Sequence, residues 1–152
     1  MGNHNFEELR AAILARSQAK TWDEALPEWS IDRIYWERDP ETCLCTHHPI
    51  NEYCFLLNHV TGREALVGNV CVKRFMRIDS GNLIDGIKRI AENEEKALNE
   101  AGIDFARSKG WLTDKECKFC MDTARKRKLS LKQMAWRIAI NQRVMARVRT
   151  DR

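Results

Sequence analysis

Cys43, Cys45, His47 and Cys71 are the residues of this chain whose types and spacing can do chemistry together. Three thiols and an imidazole are the donors zinc favours, and four of them close the tetrahedral shell of a structural site. Cys43-x-Cys45-x-His47 is compact enough for tight turns to bring three ligands to one point. The chain between must then return so that Cys71 supplies the fourth. A thiol at a helix start is favoured as thiolate, because the helix dipole stabilises negative charge there. One structural Zn2+ with all four positions filled by protein is therefore expected. His48 and Cys54 are the alternatives to His47. His48 adjoins Pro49, however, and Cys54 alternates with apolar residues, the pattern of a small thiol buried in a strand.

Elements able to position these ligands are legible around them. Residues 31–36 read as a strand leading toward the cysteines. Residues 52–58 and 63–67 flank Val60-Thr61-Gly62, a hairpin turn with Gly62 supplying the positive φ. Gly68-Asn69 makes a second turn, and residues 70–76 read as a short helix that begins with Cys71. Knuckle, hairpin and cysteine-started helix together describe a treble-clef-like zinc finger.

Four capping boxes mark further helix starts: Asn5 with Glu8, Thr21 with Glu24, Thr113 with Glu116, and Ser130 with Gln133. They place helices from about residues 6, 22, 114 and 131. The first ends by about Ala19, and Pro27 keeps the second short. A longer helix is expected over residues 83–101, stopped by Gly102. The fold class that follows is α+β, mostly helical. Its expected parts are N-terminal helices with the zinc module (1–80), a connecting helix (81–111) and a basic helical hairpin (112–152).

A resemblance attaches to the same residues. Cys43-x-Cys45-x-His47, Asn58-x-x-Thr61-Gly62 and Val67-Gly68-Asn69-x-Cys71-Val72-x-x-Phe75 resemble a run found in small proteins of bacteriophages, plasmids and some large DNA viruses. Glu28-Trp29 upstream, and Leu112-Thr113 with Leu129-Ser130-Leu131-Lys132-Gln133 downstream, resemble the same group. The similarity lies in patches over residues 28–140. It implies a phage-like, mobile-element origin and a zinc-bound fold, and brings no assigned chemistry. Several members of the group have Gly after the second cysteine, where this chain has Thr46.

Cys117-x-x-Cys120 invites a second metal. Both lie in the helix opened by Thr113, on the side shared with Met121 and Ala124, and read as small core hydrophobes. A zinc-dependent nuclease is suggested superficially by His47-His48 and Asn58-His59. No histidine follows residue 59 to complete its metal site, and no phosphate-binding glycine loop or His-Glu-x-x-His is present. The chain is read as non-catalytic.

Charge is distributed unevenly. Residues 1–111 hold 14 Lys+Arg against 18 Asp+Glu, whereas residues 112–152 hold 12 against 4. A basic end on a mildly acidic body points to a polyanion, DNA before RNA, or else to a host protein. On the last helix, Leu131, Met134, Ala135, Ile138 and Met145 form the expected core stripe. Lys132, Trp136, Ile140, Arg143 and Arg147 fall on another face, as a stacking indole among cations would. With Lys73, Arg74 and the turn Arg125-Lys126-Arg127-Lys128, these cations and Trp136 are the expected nucleic-acid contacts. The expected alternative is a module that inhibits or redirects a host enzyme, anchored on Trp136 or Trp111.

The first eight residues lack the basic start and apolar core of a signal peptide, and Phe6 breaks the myristoylation pattern. No apolar run approaches the ~20 residues that span a bilayer. A cytoplasmic protein with no membrane partner and reduced cysteines is expected.

Overall fold

Strands β1 (Trp29–Tyr35), β2 (Tyr53–Asn58) and β3 (Glu64–Gly68) form one antiparallel sheet in the order β1-β2-β3. The structure, a computed structural model, describes residues 3–78 and 80–151 and is an α+β protein. Two units divide the chain, Met1–Gly81 and Asn82–Arg152.

In the first unit the register runs Trp29 opposite Asn58 and Tyr35 opposite Tyr53, then Tyr53 opposite Gly68 and Leu57 opposite Glu64. Alternation along β2 buries Cys54, Leu56 and Asn58, all fully inaccessible. Helix α1 (Asn3–Ala15) contributes Leu9 and Ile13 to this core, and α3 (Asn69–Met76) contributes Val72 and Met76. The short helix α2 (Trp22–Ala25) leads through a 3-10 turn at Leu26–Glu28, where Pro27 sits in the first turn, into β1. Thr21 stands at the N-cap of α2 but its side chain makes no capping bond. The Asn5–Glu8 expectation fails differently: α1 is already helical from Asn3, so Asn5 lies inside it.

The β2–β3 turn is fixed by a buried amide. Asn58 Oδ1 accepts from the backbone N–H of Val60 (2.8 Å) and Thr61 (2.9 Å), while its Nδ2 donates to Glu28 Oε1 (2.9 Å). Gly62 takes φ +76°, a conformation that costs glycine little. Glu28 is a second hub, accepting from the backbone N–H of Gln18 and Ala19 at 2.9 Å each. Trp29 Nε1 donates to Ser17 Oγ at 2.8 Å. Glu28, Trp29, Asn58, Thr61 and Gly62 thus tie the end of α1 to the sheet.

In the second unit, residues 81–111 are not one connecting helix. Helix α4 (Ser80–Glu92), which straddles the unit boundary, is followed by a loop and then α5 (Glu100–Ser108). Buried side chains on α7 (Leu131–Asp151) hold that loop open: Asn141 Nδ2 donates to the carbonyls of Glu94 and Lys96 at 2.8 Å each, and Arg137 Nη1 to that of Glu95 at 3.1 Å. These carbonyls are satisfied by side chains rather than by a continuing helix. Asn99 then caps α5, its Oδ1 accepting from Gly102 N at 2.9 Å. Gly102 lies within α5 and stops nothing; a Cβ there would stand 2.4 Å from Leu98 Cδ1.

Helix α6 (Asp114–Thr123) starts on the expected Thr113–Glu116 box, with both reciprocal bonds formed. Ser130 and Gln133 exchange theirs at 3.0 and 3.1 Å at the start of α7. The expected core stripe of α7 is corrected. Its buried residues are Arg137, Ile140, Asn141, Val144, Met145 and Val148, whereas Leu131 is 93% exposed. The true stripe keeps helical spacing but includes two polar members, which a count of apolar residues passes over.

Glu116 also pairs with Arg143. Its two oxygens accept from Nη1 (2.9 Å) and Nη2 of the guanidinium, and Nη1 also donates to the Trp111 carbonyl at 3.1 Å. The Arg143 hydrogen bond, opposed by burial, takes the Glu116 carboxyl from its ordinary 4.5 down to about 2. A depressed pKa means stabilisation present above the unfolded value and lost as pH falls through the folded one. Glu116→Gln is predicted to lower stability at neutral pH by about 2 kcal/mol, less than for a fully buried pair, because the Arg143 side chain is 44% exposed. In urea titrations the gap between variant and wild type should close between pH 4.5 and about 2; a gap that stays constant contradicts the pairing's role.

Candidate metal centre

A closed loop carries the first two thiols. Glu41 and Ile50 bridge its ends, Glu41 N to Ile50 O at 3.0 Å and Ile50 N to Glu41 O at 2.9 Å. Inside it, Thr46 N donates to Cys43 O at 2.8 Å and Cys43 N to His47 O at 3.0 Å, drawing residues 43–47 into a knuckle. Leu44 N donates to Leu66 O at 3.2 Å and ties the knuckle to β3. At the far end of β3 the chain enters α3 directly, and Cys71 lies in its first turn.

The Sγ atoms of Cys43, Cys45 and Cys71 lie within 4.8 Å of one another, and all three residues are buried. This is close enough for the three to hold one metal ion. None of the six cysteines is in a disulfide. Backbone N–H groups aim at the sulfurs: Cys45 N and Gly68 N approach Cys43 Sγ at 3.4 and 3.3 Å, and His47 N approaches Cys45 Sγ at 3.4 Å. Gly68 lets the chain pass close to Ile50 here. A Cβ on it would stand 3.1 Å from Ile50 Cγ2, in the loop that carries the knuckle.

Such a cluster is electrostatically frustrated by itself. A hydrogen bond from Cys71, helped by the N–H groups of Cys45 and Gly68, draws the Cys43 thiol down to about 5. Cys71 is pushed up by giving that bond and by burial, and Cys45 is raised chiefly by burial. One thiolate is tolerated and three are not, unless a cation neutralises them. A thiophilic divalent ion is the partner this geometry suits.

His47 does not join the three sulfurs within that 4.8 Å. It is exposed, and it lines a cleft of about 450 Å³ together with all three cysteines, Glu52, Asn69 and Arg74. His48 is engaged elsewhere, its Nδ1 2.9 Å from Thr42 Oγ1 and 3.1 Å from Glu41 O. Cys54 is fully buried in β2, where burial pushes its thiol up to about 12. His59 stands 2.5 Å from Ser30 Oγ. Cys117 is buried and Cys120 half-buried on α6, burial raising both and taking Cys120 to about 11. Among the described residues the three-cysteine group is the one cluster suited to a metal.

The expected nucleic-acid contacts separate into two sets. Lys73 and Arg74 are exposed on α3, with the Arg74 guanidinium 5.2 Å from the Phe75 ring centre. Arg125, Lys126, Arg127 and Lys128 are exposed on the turn between α6 and α7, and Lys132 and Arg147 are exposed on α7. The structure does not group Trp136, Ile140 and Arg143 with them as an open face. Trp136 stacks on Phe119 with ring centres 4.2 Å apart, Ile140 is fully buried, and Arg143 is committed to Glu116. Trp111 is likewise buried, at 7% exposure, and offers no anchor.

Asn5 is a member of the centre that sequence reasoning missed. From inside α1 its Nδ2 reaches Cys45 O at 3.0 Å and Cys45 Sγ at 3.9 Å. Its only sequence signal is that of a capping residue, because its partner lies 40 positions away. Comparison with protein-family models, curated proteins and solved structures finds no match to this chain.

Thr46 occupies the knuckle at φ +79°, in the left-handed region where a β-branched side chain is strained. Its side chain is exposed. Thr46→Gly is predicted to raise stability by about 0.5–1 kcal/mol, the relieved strain outweighing the added freedom of the unfolded chain. The denaturation midpoint of the metal-loaded protein checks this; a lower midpoint contradicts it.

Proposed function

We propose that this chain is a non-catalytic, zinc-stabilised nucleic-acid-binding protein of phage-like type. The carrying observation is the convergence of three buried sulfurs from a knuckle and a helix start, joined by a hairpin. That order of parts supports a treble-clef-like module, in which the metal ties the knuckle to the start of α3. His47 is the fourth ligand in this reading, since it lines the same cleft as the three cysteines. A filled shell leaves the ion no open position for catalysis. Polyanion binding rests on the exposed cations of the α6–α7 turn, with Lys132 and Arg147, and on Lys73 and Arg74.

A second reading draws on one observation. Leu131 is 93% exposed directly after the basic turn, and Met121 is 48% exposed on α6. An apolar anchor beside cations also suits an acidic host protein, with Leu131 in the role expected of a tryptophan.

Cys43→Ser or Cys71→Ser is predicted to abolish zinc retention and unfold residues 3–78, since structural zinc contributes on the order of 10 kcal/mol. His47→Ala should weaken zinc retention, and His48→Ala should leave it unchanged. Chelator competition followed by circular dichroism reads all four; folded, metal-free Cys43→Ser protein contradicts the proposal.

Binding to duplex DNA should weaken steeply with salt as counterions are released. Replacing Arg125, Lys126, Arg127 and Lys128 together with glutamine should flatten the log–log salt dependence by about 0.9 for each phosphate no longer neutralised. No binding to any nucleic acid, with a partner captured through Leu131 from nuclease-treated host lysate, favours the second reading instead.

A further inference from the structure

An asparagine in the first turn of a helix ordinarily turns its side chain to the free backbone N–H groups there. Helix α1 begins at Asn3, which leaves Asn5 without a capping role. Its amide is used instead on a segment 40 positions away, donating to Cys45 O at 3.0 Å and to Cys45 Sγ at 3.9 Å. The next residue, Phe6, packs its ring 4.9 Å from that of Phe75 on α3, the helix that carries Cys71. Consecutive residues of α1 therefore touch both ligand-bearing limbs of the centre. The helix cannot drift, because Leu9 and Ile13 on it are fully buried.

We propose that Asn5 is a positioning residue of the metal centre, holding the Cys45 limb of the knuckle so that its sulfur is presented for ligation. This inference rests on the metal reading above. The carbonyl bond fixes the peptide that follows the Cys45 side chain, and the longer N–H···S contact orients the sulfur itself. The other N–H donors described at the sulfurs belong to the backbone, so Asn5 is where this outer shell can be altered by substitution. Outer partners of metal ligands set affinity as well as orientation, and their loss costs roughly ten- to a hundred-fold.

The test compares wild type, Asn5→Ala and Asn5→Asp in chelator competition for Zn2+, with the sulfur-to-metal charge-transfer band of the Co2+-loaded protein as the second readout. Asn5→Ala is expected to lose about ten- to a hundred-fold in zinc affinity. Asn5→Asp keeps the shape and suits the first turns of α1, yet sets a carboxylate against a carbonyl and a thiolate. It should lose more than Asn5→Ala and shift the band. A role confined to helix packing predicts the reverse order, with Asn5→Asp closest to wild type and the band unmoved, and that result overturns the proposal. Equal affinity in all three proteins overturns it as well. Wild type that takes up no metal overturns the underlying metal reading, and this inference with it. Circular dichroism at saturating zinc establishes that the variants are folded; should Asn5→Ala unfold, the Asp-against-wild-type comparison decides.

Discussion

Three sulfurs buried within 4.8 Å of one another form the constraint around which the first unit is arranged. Buried thiols this close either share protons or share a cation, since three unscreened thiolates repel at a cost that packing does not offset. The surrounding backbone is arranged for the charged case. Amide N–H groups of Cys45, His47 and Gly68 point at sulfur, the start of α3 adds its dipole at Cys71, and Asn5 adds a side-chain amide. Donors of this kind stabilise thiolates rather than thiols.

The remaining residues of the motif act one step further out. Glu28 and Asn58 satisfy the backbone of the α1–β1 link and of the β2–β3 turn, with Asn58 bonding to Glu28 at 2.9 Å. Gly68 lets the end of β3 pass against Ile50 while its N–H reaches Cys43. Asn69 takes its backbone bond from N–H to Glu52 O at 2.9 Å and receives the Ser80 hydroxyl on its side chain. Asn58, next to His59, serves the β2–β3 turn. The residue types of this motif are those a tight turn and a close backbone approach require.

Reading the sequence went furthest where local rules act alone. The hairpin about Gly62, the boxes at Thr113 and Ser130, and the three convergent cysteines follow from turn chemistry, capping and ligand spacing. It failed where distant side chains overrule local preference. Residues 94–98 have helix-forming composition, yet Arg137 and Asn141 take carbonyls of Glu94, Glu95 and Lys96, and only Asn93 and the Asn99 cap mark the break locally. Arg137 and Asn141 also hid the core face of α7, because buried polar groups carry no apolar signal. Asn5 was legible only as a cap; its partner lies 40 residues away in the knuckle.

What the protein does is narrowed by which groups are already occupied. Ile140 is buried, Trp136 is stacked on Phe119 and Arg143 is paired with Glu116, whereas the α6–α7 turn, Leu131, Lys132 and Arg147 stand exposed. The first unit adds Lys73 and Arg74, exposed on the helix that carries Cys71. Elemental analysis with X-ray absorption at the zinc edge, on protein purified without added metal, tests the metal centre most directly. One zinc per chain with three sulfur neighbours and one nitrogen is the predicted result. Folded protein containing no metal, or metal without sulfur in its first coordination sphere, would contradict it.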